Sequence, residues 1–457
     1  MTISNELRDK FINREGSKLI KLVIPERGLT ITNENIYADT LKITESIMNS
    51  SNLEFVGCIS SSMEIELHGI THDLKGLYIK AYITVEDYEE EYIPIFTGYV
   101  DSVKTRISDS WKSITCYDFL YAKASDKDIA GWYNGLSFPL TIRQFRNSLF
   151  DYIGLPQQET WLVNDNIDIN KEYEPTTLNA LDVIKNICQF NGVCGIIGRT
   201  GQFEYRKYSG AEARFAGYPS RITHPSGDMF PSHNSIDSGM FPSIMIPFYE
   251  DMEYEDYKVN KITKVLLRNT EDDEGISSGT GANTYIVQGN IFAYGLSEEN
   301  LTLAASNILR NISGFEYRPF DSKSIGLPFV ECGSLVTFYT EDYLTGQGHL
   351  VLRSFYIMTR SMNGIQNIKD SYSAQGEQNQ RVFVSDLNVK IDLVKKEEEG
   401  SEEIDELKES VNDLDKRVKD LEEGGTGDIK VLSVNSIPTN PQKNIVYLVQ
   451  GELVRIE

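Results

Sequence analysis

The side chains able to do chemistry are few and scattered. The chain has five histidines and five cysteines in 457 residues, so a nucleophile has few bases to choose from. No His-Glu-x-x-His pair occurs, and no cysteine has a persuasive histidine partner. His68 and His72 are four apart, a spacing that shares a helix face, but they fall between two strand-like runs, where a loop is the better assignment. Asn164, Asn166, Asp168, Asn170 and Glu172 alternate as the ligands of a calcium loop do. Ile169 stands where such a loop needs its turn glycine, so a polar edge strand is the plainer reading. Asp87, Glu89, Glu90 and Glu91 read as a solvated strand end. Cys58, Cys116, Cys188, Cys194 and Cys332 form no Cys-x-x-Cys, which supports neither a disulfide framework nor a thiolate zinc site; they read as small core residues. No catalytic residue, cofactor site or metal ligand is expected, and the chain reads as a non-enzyme.

Composition narrows the classes further. A length of 457 residues gives a prior of about three domains, and a hydrophobic content of 40% is ample for sizeable cores. The net charge of -24 argues against a surface that grips nucleic acid by neutralising phosphates. No run reaches the roughly 18 apolar residues of a membrane-spanning helix, and the N-terminal residues lack a signal pattern. Synthesis and assembly in the cytoplasm are expected.

The elements that would position these side chains form an α+β, β-rich chain. Residues 1–125 alternate with period two, as in Met63, Ile65 and Leu67, then Leu77, Ile79, Ala81, Ile83 and Val85. Runs at 93–107 and 111–121 follow, and the whole predicts a small barrel-like β domain. Residues 126–215 read as α+β: Thr141 caps a helix carrying Ile142, Phe145 and Leu149. Thr177 caps a second that ends at Gly192, and a hairpin turns around Arg199–Gly201. Residues 216–248 are a Gly/Pro/Met/Phe-rich insertion or loop with a short internal echo. Residues 249–385 predict a second β-barrel-like unit: strands at 257–268, 284–289, 335–340 and 350–361, a helix opened by Ser297, and a tight Asn363-Gly364 hairpin. Residues 386–424 are charged and helical, and 425–457 form a short β module too small to stand alone.

Within that helix Ile404, Leu407, Val411, Leu414, Val418 and Leu421 recur at alternating spacings of three and four, the seam of a coiled coil. Glu403 with Lys408, and Arg417 with Glu422, place opposite charges at flanking positions. Roughly three heptads is close to the length below which an isolated helix is marginal, so the seam assists an assembly held mainly elsewhere. Ile/Val at a with Leu at d leans towards two chains.

Several stretches resemble the hub or baseplate-hub proteins of phage tails and prophage-like particles, a family often described in Gram-positive phages as tail-associated minor structural proteins. They are LKITESI with NLEFVGCISSSMEIEL, then FTGYVDSVKTR with SITCYDFLY. Next comes TLNALDVIKNICQFNGVCGIIGRTGQFEYRKY, and last YIVQGNIFAYGLSEENLTLAASNILRNISGFEYRPF with GLPFVECGSLVTF. In series they cover most of residues 20–375 in the family's order. The resemblance implies two barrel-like β domains and a homotrimer forming a pseudo-sixfold ring, which takes precedence over the dimeric leaning of the heptads. The implied partners are a distal tail or tail tube protein, a tape measure protein, and a spike, tip or fibre protein held through the C-terminal region. The implied location is the tail of a virion or phage-like particle, around or closing the DNA channel. The insertion at 216–248 has no place in the family pattern. A receptor-binding fibre or adhesin is the alternative; a tail-associated wall hydrolase is a third class, disfavoured because only about thirty residues follow the seam.

Overall fold

Period-two alternation builds the large sheet. In the computed structural model the described residues are 3–37, 39–48, 54–106, 110–172, 174–207, 244–246, 248–342, 349–378, 382–384, 430–434, 445–449 and 452–455. The first strands are β1 (Lys18–Ile24), β2 (Leu29–Thr32), β3 (Lys42–Ser46), β4 (Ser62–Leu67), β5 (Tyr78–Val85), β6 (Ile93–Thr105) and β7 (Lys112–Tyr117). Along β1 the residues Ile20, Leu22 and Ile24 are buried while Lys21 and Val23 between them are not. On β5 the buried apolar set is Ile79, Ala81, Ile83 and Val85. Alternation of this kind fixes register, because a slip by one residue would turn the whole apolar set to water.

These strands belong to one eleven-stranded sheet. Its order runs from Tyr249–Tyr254 through Phe320–Ile325, Lys369–Ala374 and Thr359–Asn363 to β3, β4, β7, β6, β5, β1 and β2. Every neighbouring pair in it is antiparallel. The join between early and late parts of the chain is β3 against Thr359–Asn363, with Thr44 opposite Ser361 and Ile43 opposite Met362. Strands from the two β regions that the sequence sets apart therefore share one ladder.

The helices are α1 (Asn5–Ile12), α2 (Ala130–Asn134), α3 (Ile142–Ile153), α4 (Ala180–Asn191) and α5 (Glu298–Ile312). Thr141 caps α3 as expected and forms a full capping box with Gln144. The cap of α4 is Asn179, not Thr177: its side chain accepts from the backbone N–H of both Leu181 and Asp182. One amide oxygen thus satisfies two orphan donors, while Thr177 stands two residues further out. Gly192 ends α4 at φ 59°. Its missing side chain also lets α5 approach, since a Cβ would sit 3.0 Å from Ile312 Cγ2. Ser297 caps α5 by accepting from Asn300 N–H, and Ala304, Ala305, Ile308 and Ile312 are its buried face. α1, which the sequence reading left out, is capped by Ser4 and buries Leu7 and Phe11.

Three strand expectations change. The run at 257–268 is extended only at Lys264–Arg268. The run at 350–361 is two strands, His349–Tyr356 in a three-stranded sheet and Thr359–Asn363 in the large one. Ile357 and Met358 carry the chain across, the first donating to Ser334 O and the second to Ser373 O. Asn363-Gly364 opens a longer loop, because Asn363 pairs with Lys369; Asp39 holds that loop by accepting from the N–H groups of Ile365 and Gln366.

The chain divides into two compact units, Met1–Val389 and Lys390–Glu457. In the second, Lys430–Val434, Ile445–Val449 and Glu452–Arg455 form a three-stranded sheet, in keeping with the strand-like alternation of the tail. The seam residues Ile404, Leu407, Val411, Leu414, Val418 and Leu421, and the helix expected around them, lie outside the described residues. So does the insertion at 216–248, apart from 244–246 and 248. Among the described residues no helix is long and apolar enough to cross a membrane.

Candidate interaction surfaces

The residues singled out for chemistry do not converge. His68 stacks edge-on to Tyr37 with ring centroids 5.0 Å apart, while the His72 carbonyl accepts from Lys112 Nζ at 2.7 Å; both histidines lie in a loop. Asn164 is buried and donates to Phe190 O, whereas Asp168 and Asn170 face solvent, so the alternating polar run does not close around an ion. Glu91 is engaged rather than free, receiving both the N–H and the hydroxyl of Ser4 at the start of α1. The cysteines are all buried and unbridged, with Cys58 Sγ 3.7 Å from Cys188 Sγ. Among the described residues no group of three or more His, Cys, Asp or Glu could hold a metal.

What the fold does bring together is a buried ionic junction. Arg360, on Thr359–Asn363, is 1% exposed. It donates to Asp370 through Nε at 3.2 Å and Nη2 at 3.1 Å, and to Glu45 of β3 through Nη1 at 3.1 Å. Asp370 also accepts from the Tyr372 hydroxyl at 2.6 Å and Leu327 N–H at 2.9 Å. Arg199, at the tip of the hairpin formed by Cys194–Ile197 and Phe203–Arg206, reaches the carbonyls of Pro328 and Val330 and lies 3.7 Å from Glu45. Arg206 pairs with Glu204 and Glu331 and donates to Cys332 O at 2.8 Å. Burial works against ionisation of Glu331, yet Arg199 and Arg206 outweigh it and hold its carboxyl down at about 2. Burial likewise opposes the charge on Arg360, and Asp370 with Glu45 keeps its pKa above the usual value. The space left beside Glu45, Arg199 and Glu331 is about 10 Å³, room for one water and no substrate. The junction clamps β3, the hairpin and the 327–334 loop to the late strands.

The outward face of β1, β5, β6 and β7 is of another kind. Tyr78, Lys80 and Tyr82 occupy the half-buried positions of β5, between its buried residues. Tyr78 is level with Tyr99 of β6, and Tyr99 with Tyr117 of β7. The rings touch: Tyr78 to Tyr99 at 5.8 Å, Tyr78 to Phe119 at 5.4 Å, and Tyr117 to Tyr121 at 4.5 Å between centroids. Lysines stack on them, Lys21 Nζ lying 3.7 Å from the Tyr92 centroid, Lys80 Nζ 5.3 Å from Tyr78 and Lys123 Nζ 5.7 Å from Tyr99. Among the described residues none of these lysines has a carboxylate partner.

Irregular backbone gathers at one end of this stripe. β6 bulges at Asp101, where its pairing with β7 shifts register, and a π turn covers Tyr121–Ser125. Both devices re-aim side chains at the cost of regular hydrogen bonding. Together with Lys75, Tyr99, Tyr117 and Lys123 they line a groove of about 410 Å³. The charge of Asp101 beside it, with some burial, raises the Tyr121 phenol. Under the stripe, Asp118 accepts from Ser61 N–H at 2.7 Å and Leu120 N–H at 3.0 Å; burial still pushes its carboxyl up to about 7.

The sequence reading followed the buried register of β5 and passed over the other one. Its signal was present: Tyr78, Lys80 and Tyr82 fall at successive outward positions, where the large ring surface of tyrosine is more than a solvated face needs.

No protein-family model and no curated protein matches the sequence. Among solved structures, the chain is similar to a tail protein from Neisseria meningitidis MC58, at 11% identity and a TM-score of 0.44 over 80% of this chain and 100% of that one. It is similar to the 43 kDa tail protein of prophage MuSo2 from Shewanella oneidensis, at 11% identity and a TM-score of 0.45 over 80% and 100% of the two chains. It is also similar to prophage tail protein gp18 from Listeria monocytogenes EGD-e, at 10% identity and a TM-score of 0.40 over 78% and 94%.

Proposed function

We propose that this chain is a non-enzymatic structural protein of a phage or phage-like tail, the hub at its distal end. Three copies close a ring that joins the tail tube or distal tail ring to a tip, spike or fibre and surrounds or closes the DNA channel. The seam from Ile404 to Leu421 assists the trimer, and the module at 425–457 attaches the next component. Partners are the distal tail or tube protein and the tape measure protein, and assembly takes place in the host cytoplasm.

The observation that carries this reading is the continuity of the large sheet. Strands from the early and late thirds of the chain meet in one antiparallel sheet through β3 and Thr359–Asn363, and the ionic junction fastens the middle hairpin across that join. A body braced in this way suits a part that transmits force between neighbours. The reading is tested by native mass measurement and electron microscopy of the purified chain. A ring of three 51.8 kDa subunits supports it, and a monomer at every concentration removes it. Deleting residues 386–457 separates the hub from the adhesin reading, since a hub still joins the tail while an adhesin loses host binding. A zymogram on cell-wall material tests the hydrolase class.

A further inference from the structure

The large sheet ends in two patches of opposite character. At one end is the stripe of Lys21, Lys80 and Lys123 on tyrosine rings, without carboxylate partners among the described residues. At the other end is the edge strand Tyr249–Tyr254, in which Glu250, Asp251 and Glu253 are all exposed. Glu250 is paired with Lys369 at 2.6 Å. Lys323 stands opposite Asp251 in the ladder, and Arg318 stacks on Tyr254. Among the described residues Glu253 has no such relief. It stands directly opposite Asp321 on the neighbouring strand, and like charges facing each other across a ladder are destabilising. Burial first, and then the charge of Glu253, holds the Asp321 carboxyl above its ordinary value. That pair is a site where an incoming ammonium group gains most.

We infer that a second copy of this chain docks here, the acidic edge strand of one subunit lying against the tyrosine and lysine stripe of the next. Six to nine strand positions separate the patches in the sheet order, roughly 30–40 Å along the sheet at about 4.8 Å per strand. Along the ladder no side chain spans that distance, and among the described residues of one chain no ion pair joins the two patches, Glu250 pairing with Lys369. Contact between two different patches of identical chains is head-to-tail, and such contacts close into rings when the rotation permits. Net charge strengthens the case. Subunits carrying -24 each repel one another unless a local patch of the other sign sets the approach. Tyrosine rings supply apolar area at little entropic cost in the middle of such a contact.

This inference rests on the ring reading above, and the test separates the two. In the full-length chain, isotopically labelled and unlabelled copies are mixed and treated with a zero-length carbodiimide. Cross-links between copies are expected from Lys21, Lys80 or Lys123 to Asp251, Glu253 or Asp321. In parallel, K21E/K80E and D251K/E253K variants, each checked for an unchanged unfolding profile, are compared by sedimentation over a dilution series. Each reversal should raise the apparent dissociation constant at least about tenfold, and the chain carrying both should recover most of it. High salt should weaken the wild-type contact. If the copies associate but neither reversal matters and the cross-links are missing, the interface is wrong and the ring stands. If the wild-type chain never associates, both fall. Should a reversal disturb folding, the neutral K21Q/K80Q variant and the cross-links decide in its place.

Discussion

Asp118 is the residue whose environment makes the clearest demand. Its carboxyl lies at about 7 against an ordinary 3.8 because burial outweighs the backbone donors that favour its charge. The folded chain therefore holds the proton more tightly than the unfolded one. The stability this gives is complete below about pH 4 and is lost as the pH rises through about 7. Glu331 has the opposite sign: its contribution is complete above 4.5 and lost as the pH falls through about 2. Asp118→Asn should lower the melting temperature at acid pH, having lost one acceptor, and should flatten its decline between about pH 5 and pH 8. Melting curves of both proteins across that range check the slope. Arg360 carries the second residue-scale prediction. Replacing it by alanine leaves Asp370 buried without its cation and Glu45 with Arg199 alone, at a cost of about 3–5 kcal/mol. Denaturant titration measures it, and a change below about 1 kcal/mol would show the junction to be dispensable.

At the scale of elements, caps and stops were legible where one residue does the work. Thr141, Gly192 and Ser297 do what their positions imply. Thr177 did not, because Thr and Asn are both good caps and the choice of Asn179 depends on distant groups. Its Nδ2 donates to Ser125 O, and Leu178 N–H donates to Asp128. Asn179→Ala should cost about 1 kcal/mol or somewhat more, with amide exchange quickening first at Leu181 and Asp182. Uniform protection along α4 in the variant would mean that packing alone holds the helix start. Strands followed the same division. The faces of β5 and β7 can be read from alternation, but the break at Ile357 and Met358 cannot, since both are apolar and buried like the inward residues of a strand.

For the molecule as a whole, the division at residues 389 and 390 predicts that the first unit holds its structure without the second. A chain ending at Val389 should keep the main unfolding transition of the full-length protein within about 2 °C, and scanning calorimetry of the two checks it. A large loss would mean that the C-terminal unit braces the body.

The sequence alone determined the β-rich α+β class, the faces of the early strands and most helix ends, and it supplies few histidines and cysteines. These are consequences of composition and of periods within a few residues, which act on the chain locally. Only the tertiary structure decided that Thr44 lies beside Ser361, that Arg199 and Arg360 share Glu45, and that Tyr78, Tyr99 and Tyr117 line up across three strands. Contacts over such separations leave no local pattern. They follow from which apolar faces find one another and from the need to pair every charge those faces bury.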